Sequence, residues 1–287
     1  MVNRFSEAGR VPVRTTDVLE QLRKLPLRPS AVTQLLAVLD DENANAHEIA
    51  AALQADPSLT ARILRLANSP YFGLSGKIGS VERAVVALGA SVLRSLAVST
   101  AAGVFSDDAG EMPDGFWRHS VSVAAGASIA ARVTPTITAG DAMCAGLLHD
   151  LGAALLFRFD REGYGERLAR GGDPSTLAGE EAAAYGGDHA VIGAHALDAW
   201  KLPAAIIDAL RQHHQNPLDV GDKLALVVIA GEALARAAFD DPPFTHEPAA
   251  DPGAAFSALG LRAVSIEGLV SRTAEETETL DGLLAVH

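Results

Sequence analysis

Gly146-Leu147-Leu148-His149-Asp150-Leu151-Gly152 sets an imidazole and a carboxylate side by side in a run that is otherwise leucine and glycine. A charge held among leucines costs free energy unless it is paired or coordinated. The His149-Asp150 pair is therefore either satisfied locally or the seed of a site, and the surrounding sequence has to decide between them. Working outward, apolar residues recur at helical spacing and strand alternation is absent. Helices are predicted over about 114–133, 138–157, 160–170, 175–185, 188–200, 203–214 and 222–238.

Three of the other predicted helices also carry imidazole on an inward face. His119, in Phe116-Trp117-Arg118-His119-Ser120, shares a face with Val123, Ala127 and Ala130. His189 follows Asp188, a helix cap, and heads a face continued by Ile192, Ala196 and Trp200. His213-His214 closes the helix begun at Pro203 and extends the stripe of Ile206, Ile207 and Leu210. Singly, each has a plain explanation. A lone histidine on an apolar face is usually a core side chain bonded to a carbonyl, and His195 belongs in that class. Asp150 could cap a helix, and His213-His214 could sit at the negative end of a helix dipole. Taken together, four inward imidazole-bearing segments and one carboxylate match the way helical bundles assemble metal sites. His119, His149, Asp150, His189, His213 and His214 are the candidate metal ligands, and such donors suit Fe, Mn or Zn. A metal there would polarise a phosphoryl oxygen and supply hydroxide at neutral pH.

The upstream half is also helical. Val32, Leu35, Leu36 and Leu39 step at helical spacing from Ser30, and a second helix is predicted over Ala46–Gln54. Asp56-Pro57-Ser58 pairs a side-chain cap with proline at the first helical position, and Leu59, Ile63 and Leu66 follow as a stripe. Asn68-Ser69-Pro70 ends that helix. The loop Tyr71 to Gly79 offers Tyr71 and Phe72 as a candidate protein-contact surface; the alternative is rings tucked against the core, the more so for Phe72. Ser80 caps a helix with Val81, Val85 and Leu88 inside, Gly89 stops it, and Ser91 caps the next.

Composition narrows the classes. Hydrophobic residues make up 48% of 287 while aromatics are 5%, which favours a core of closely packed helices. The net charge of −13 opposes broad nucleic-acid or anionic-lipid binding, and Arg62, Arg65, Lys77 and Arg83 form only a modest basic set. Cys144 is the sole cysteine, so no intrachain disulfide can form. The longest greasy stretch, Val85 to Phe105, is interrupted by Gly89, Ser91, Arg94 and Ser95 and reads as two helices of a soluble protein, without a membrane span. With no apolar signal core at the N-terminus, the expected compartment is the cytoplasm.

These segments, in this order, resemble the HDOD branch of the HD superfamily of metal-dependent phosphohydrolases. The resemblance rests on Leu25-Pro26-Leu27-Arg28-Pro29, Asp56-Pro57-Ser58-Leu59-Thr60, and Arg65-Leu66-Ala67-Asn68-Ser69-Pro70-Tyr71-Phe72-Gly73. Ser80 to Gly89, Trp117-Arg118-His119-Ser120, the His149-Asp150 run and Trp200-Lys201-Leu202-Pro203 continue it, over roughly residues 20–238. It implies an all-α fold of two packed helical subdomains, the second an HD-like helical core. The expected division is a polar leader 1–19, an N-terminal helical subdomain 20–106, an HD-like subdomain 112–238, and a tail 239–287 with two short helices. It also implies a bacterial signalling role through a protein partner or a nucleotide ligand.

Three positions depart from the related HD-GYP phosphodiesterases, which cleave cyclic di-GMP. Ala153 stands where those enzymes place a lysine, and His213-His214 leads into Gln215-Asn216-Pro217-Leu218 where they have Gly-Tyr-Pro. Their closing-helix aspartate aligns with Gly231; Glu232 is one residue on, about 100° round a helix, and is expected to point elsewhere. The resulting expectation is a regulatory module with an incomplete HD pocket. The alternative is a metal-dependent phosphohydrolase acting on a nucleotide or cyclic dinucleotide.

Overall fold

The computed structural model describes residues 18, 20, 30–69, 72, 77–101, 115–170, 174–239, 252–261 and 265–284. Leu25–Pro29, Tyr71, the acidic linker at 106–111 and the Asp240–Pro243 break lie outside the described residues, as does nearly all of the predicted leader. Among the described residues every regular element is a helix, so the chain is all-α.

The first part contains α1 (Ser30–Leu39), α2 (Ala46–Gln54), α3 (Pro57–Ala67) and α4 (Val81–Ala101). Their starts are locally encoded. Asn45 forms a capping box with Glu48 at α2, and the Asp56 side chain accepts from Leu59 N at α3, with Pro57 in the first turn. Gly89 breaks α4 with φ 77° and ψ 167°, a conformation open to glycine, so Val81–Ala101 is two helical runs, as the sequence predicts. Val18, assigned to a polar leader, is instead helical and fully buried in the core.

The second part contains α5 (Phe116–Arg132), α6 (Ala139–Leu148), α7 (Leu151–Phe159), α8 (Arg161–Arg170), α9 (Pro174–Tyr185), α10 (His189–Ala199), α11 (Ala204–Gln212) and α12 (Lys223–Ala238). The helix expected over about 138–157 is really two, with His149-Asp150 at the bend between them. Ala139–Phe159 as a whole is long and apolar enough to cross a membrane, yet 83% of its apolar window is buried inside the protein.

The C-terminal stripes around Ile266 and Leu280 do not form two short helices. They belong to one 19-residue helix, α14 (Ile266–Leu284), preceded by the short α13 (Pro252–Ala258). Thr273 and Thr277, which break the apolar stripe in sequence, are fully buried and donate to the Leu269 and Thr273 carbonyls. That satisfaction of polar groups within the helix lets it run on.

Helix α5 is the axis of the molecule. It is buried continuously from His119 to Ala131, with α6, α12 and α14 packed round it. Its Ala124-Ala125-Gly126-Ala127 stretch lets neighbouring backbones come close. Helix α4 packs on α1, α2 and α3 and also on α6, joining the two parts. A polar latch reinforces that junction. Arg94 of α4 donates to Asp40 Oδ1 (2.8 Å), the Leu39 carbonyl (2.7 Å) and the Trp200 carbonyl (3.3 Å), while Lys201 Nζ donates to Asp40 Oδ2 (2.8 Å). The Lys201 hydrogen bond, with that of Arg94, holds the Asp40 carboxyl below its usual range against the opposing effect of partial burial.

Candidate metal centre

Glycine contacts set the positions of the site residues. A Cβ on Gly146 would lie 2.9 Å from Ala124 Cα, so α6 and α5 touch backbone to backbone there. Three residues on, His149 Nε2 comes within 3.1 Å of His119 Nε2. A Cβ on Gly152 would lie 1.8 Å from the His189 carbonyl oxygen, so the start of α7 presses on the start of α10. That approach brings Asp150 Oδ1 to 3.4 Å from His189 Nε2.

All six predicted ligands converge. Asp150 Oδ2 faces His149 Nε2 (3.3 Å) and His119 Nε2 (3.4 Å). Its other oxygen, Oδ1, faces His189 Nε2 (3.4 Å) and His213 Nε2 (3.5 Å). His214 Nε2 meets His189 Nε2 at 2.5 Å and completes that second side. Asp150, His149, His119, His189 and His213 are buried, and His214 is half-buried toward the edge. Asp150 precedes α7 without capping it through its side chain, so the capping explanation for the carboxylate fails. His195 is exposed on α10, so it is a surface histidine and not the core side chain expected.

The expectation about the closing helix is overturned. Glu232 points into the cluster, its Oε2 3.4 Å from His119 Nε2 and 3.6 Å from His149 Nε2. The reason is steric. Gly231 lies on the face of α12 that meets α5, where a Cβ would fall 2.4 Å from Ala127 N, so that position admits no side chain. The register that seats Gly231 against Gly126 and Ala127 turns the next residue toward the histidines. Arg236, one turn along, donates from Nε to Glu232 Oε1 (2.8 Å) and leaves Oε2 directed at them.

The ring nitrogens are oriented for coordination. His149 Nδ1 donates to the Gly146 carbonyl (2.8 Å) and His213 Nδ1 to the Leu210 carbonyl (2.5 Å). Carbonyl oxygens only accept, so these Nδ1 atoms carry the hydrogen, which leaves Nε2 as the ring nitrogen able to offer a lone pair inward. His189 Nδ1 instead donates to a carboxylate, Glu181 Oε2 (2.8 Å), which also accepts from the His189 backbone N–H (2.9 Å). Glu181 Oε1 accepts from the Tyr164 hydroxyl (2.6 Å). Burial pushes the Glu181 carboxyl up, but the charge and hydrogen bonds of His189, with the Tyr164 hydroxyl, outweigh it and hold the group below its usual range. Burial, then the charge of Glu181, pushes the Tyr164 hydroxyl well above its ordinary range, so it stays a donor.

The residues fit a metal. Asp150, His189, His213 and His214 each offer a donor atom within 4.8 Å of the others, and so do His119, His149 and Glu232. Among the described residues Glu232 Oε2 is buried with no hydrogen-bond partner, as expected of an oxygen available to a cation. The sequence signal for Glu232 was the one acid in a mostly apolar helix, visible but assigned to the wrong register. Glu181 gave no signal at all within Gly179-Glu180-Glu181-Ala182. Of the predicted partner-contact residues, Phe72 is half-buried and packs against the core; Tyr71 lies outside the described residues.

Residues 25–216 match the HDOD domain family, well over half of the chain. The chain is a member of the HDOD family. Glu232 and α14 lie beyond the matched segment of this HDOD protein. Solved structures similar in fold include the following two. One, from Shewanella amazonensis and provisionally named a phosphohydrolase, is 24% identical with a TM-score of 0.65, over 93% of this chain and 98% of that one. The other, an HDOD domain protein of unknown function from Geobacter sulfurreducens, is 25% identical with a TM-score of 0.62, over 95% and 99%. A protein of uncharacterized function from Treponema pallidum is 24% identical over 208 residues, 70% of this chain but only 39% of that protein's length.

Proposed function

We propose that this HDOD protein is a signalling module whose His/Asp/Glu centre would hold transition metal at two positions and whose ligand is a nucleotide or cyclic dinucleotide. The observation that carries the reading is the division of Asp150: one oxygen faces His119 and His149, the other His189 and His213. Asp150 would thus serve both groups of imidazoles. His119, His149 and Glu232 would hold metal at one position and His189, His213 and His214 at the other. Fe, Mn and Zn all suit this imidazole and carboxylate set. Bound metal would supply Lewis acidity toward a phosphoryl oxygen. The chain's own part is to present imidazoles, fixed by the Gly146 and Leu210 carbonyls, in a water-poor setting.

A regulatory role without turnover is supported by Ala153, fully buried where the related phosphodiesterases carry a lysine. No cation stands at that position to neutralise charge on a leaving phosphate, and one missing electrostatic group costs on the order of 10²–10³ in rate. A second reading, phosphodiester hydrolysis, is favoured by Glu232, which supplies the ligand that the aligned sequence lacks. Elemental analysis of the purified chain, followed by nucleotide binding and hydrolysis assays with Fe, Mn or Zn, separates them. Metal and binding without turnover supports the module; turnover abolished by Asp150→Ala supports the hydrolase. Protein that takes up no metal overturns both.

A further inference from the structure

The two halves of the centre are backed unequally. Three kinds of partner hold the ligands from behind: neutral carbonyls at His149 and His213, a cation (Arg236) at Glu232, and an anion (Glu181) at His189. These partners pull the ligands in different directions. An anionic acceptor on Nδ1 pushes electron density onto Nε2 and strengthens the imidazole as a donor. A guanidinium on the far oxygen of a carboxylate draws density away from the near one.

We infer that Glu181 is a positioning residue for His189 and makes the Asp150/His189/His213/His214 position the tighter-binding of the two. This rests on the two-metal reading. Glu181 is fully buried, and both of its oxygens are engaged: Oε2 takes the backbone N–H and Nδ1 of His189, and Oε1 takes the Tyr164 hydroxyl. Both the ring and the helix start of His189 are thus fixed by one carboxylate, itself fixed by a tyrosine from α8.

The test uses the full chain, stripped with a chelator and reloaded with cobalt(II). Cobalt content, release under chelator competition and the visible d–d spectrum are then read. The unaltered chain takes up two cobalt ions with one released more slowly. Glu181→Gln keeps the shape and removes the charge; it weakens the slow position by about 10- to 100-fold and shifts its bands, leaving the fast position unmoved. Glu232→Gln removes the fast position and spares the slow one. If Glu181→Gln leaves both release rates and the spectrum unchanged, or weakens both positions alike as general structural damage would, the inference is overturned while the two-metal centre stands. Failure of the unaltered chain to bind cobalt overturns the centre itself. If circular dichroism shows Glu181→Gln unfolded, Tyr164→Phe carries the test. Removing the hydroxyl at Glu181 Oε1 then shifts the slow position's bands alone, and unchanged bands overturn the inference.

Discussion

Gly231 rests on Gly126 with no room between the two backbones: a Cβ on Gly126 would fall 2.4 Å from the Gly231 carbonyl oxygen. This contact fixes the rotation of α12 against α5, and the rotation aims Glu232 at His119 and His149. Gly231→Ala therefore forces the helices apart. The obstructing atoms are backbone, so relief needs a shift of a whole helix. A loss of about 1–3 kcal/mol is expected in urea unfolding, together with loss of metal from the Glu232 side. A gain in stability from better helix propensity would contradict the packing account.

Glu232 and Arg236 form a pair with side chains 6% and 12% exposed. Glu232→Ala leaves the guanidinium without that partner in a poor solvent, and a loss of about 3 kcal/mol follows from breaking such a pair. Replacing both, Glu232→Leu with Arg236→Met, removes the uncompensated charge and recovers most of the stability. It does not recover metal at that position. Urea unfolding and elemental analysis of the two variants check the separation.

Local signals and tertiary ones diverge in how far the sequence reveals them. The caps at Asn45 and Asp56 and the break at Gly89 depend on residues within a turn of each other, and each is readable in order. The convergence of His119, His149, Asp150, His189, His213 and His214 was legible because each lies on, or directly extends, an apolar stretch of the sequence. Glu232 was misread because the register of α12 is set by its contact with α5, a partner about a hundred residues away in sequence. Glu181 was missed for a similar reason. Its role comes from meeting His189 and Tyr164 in space, and nothing in α9 marks it off from Glu180. The single α14 was read as two helices because its buried threonines satisfy themselves on the helix's own carbonyls, which composition cannot register.

The Asp40 latch predicts a pH dependence with a definite sign. Lys201 and Arg94 lower the Asp40 pKa in the folded chain from the 3.8 of an unperturbed carboxyl. The unfolded chain thus binds the proton more readily. The latch contributes fully above about pH 4, and its contribution is lost as pH falls from there through the lower folded value. Because Lys201 is exposed, the gain at neutral pH is roughly 1 kcal/mol or less. Asp40→Asn should lower stability at pH 7 by that amount and flatten the acid limb below pH 4. Equal acid limbs for the two proteins in urea titrations at several pH values would remove Asp40 from the account.

Helix α14 covers α5 through polar contacts as well as apolar ones. The Trp117 indole N–H donates to Asp281 Oδ1 (2.6 Å), while Arg118 pairs with Glu278 and Arg132 with Glu276. Since α5 carries His119, loosening α14 should reach the centre. Asp281→Ala removes the indole's acceptor and is expected to cost about 1 kcal/mol. Hydrogen exchange should then quicken in α14 first and in α5 next. Faster exchange confined to α14 would show that α5 is held by α6 and α12 alone.

Cys144 is fully buried on α6, and burial pushes its thiol up to about 12. Thiolate is the reactive form, and at pH 8 a thiol with that pKa is almost wholly protonated as well as shielded. A disulfide reagent or iodoacetamide should therefore leave the folded chain unmodified at pH 8 and label it in full once urea unfolds it. The labelling rate then becomes a measure of opening around α6. Variants that loosen the α5–α6 contact, such as Gly146→Ala, whose Cβ would press on the Ala124 backbone, should label measurably faster under native conditions. Rapid labelling of the unaltered folded chain would mean that α6 opens far more readily than its packing against α5 and α4 implies.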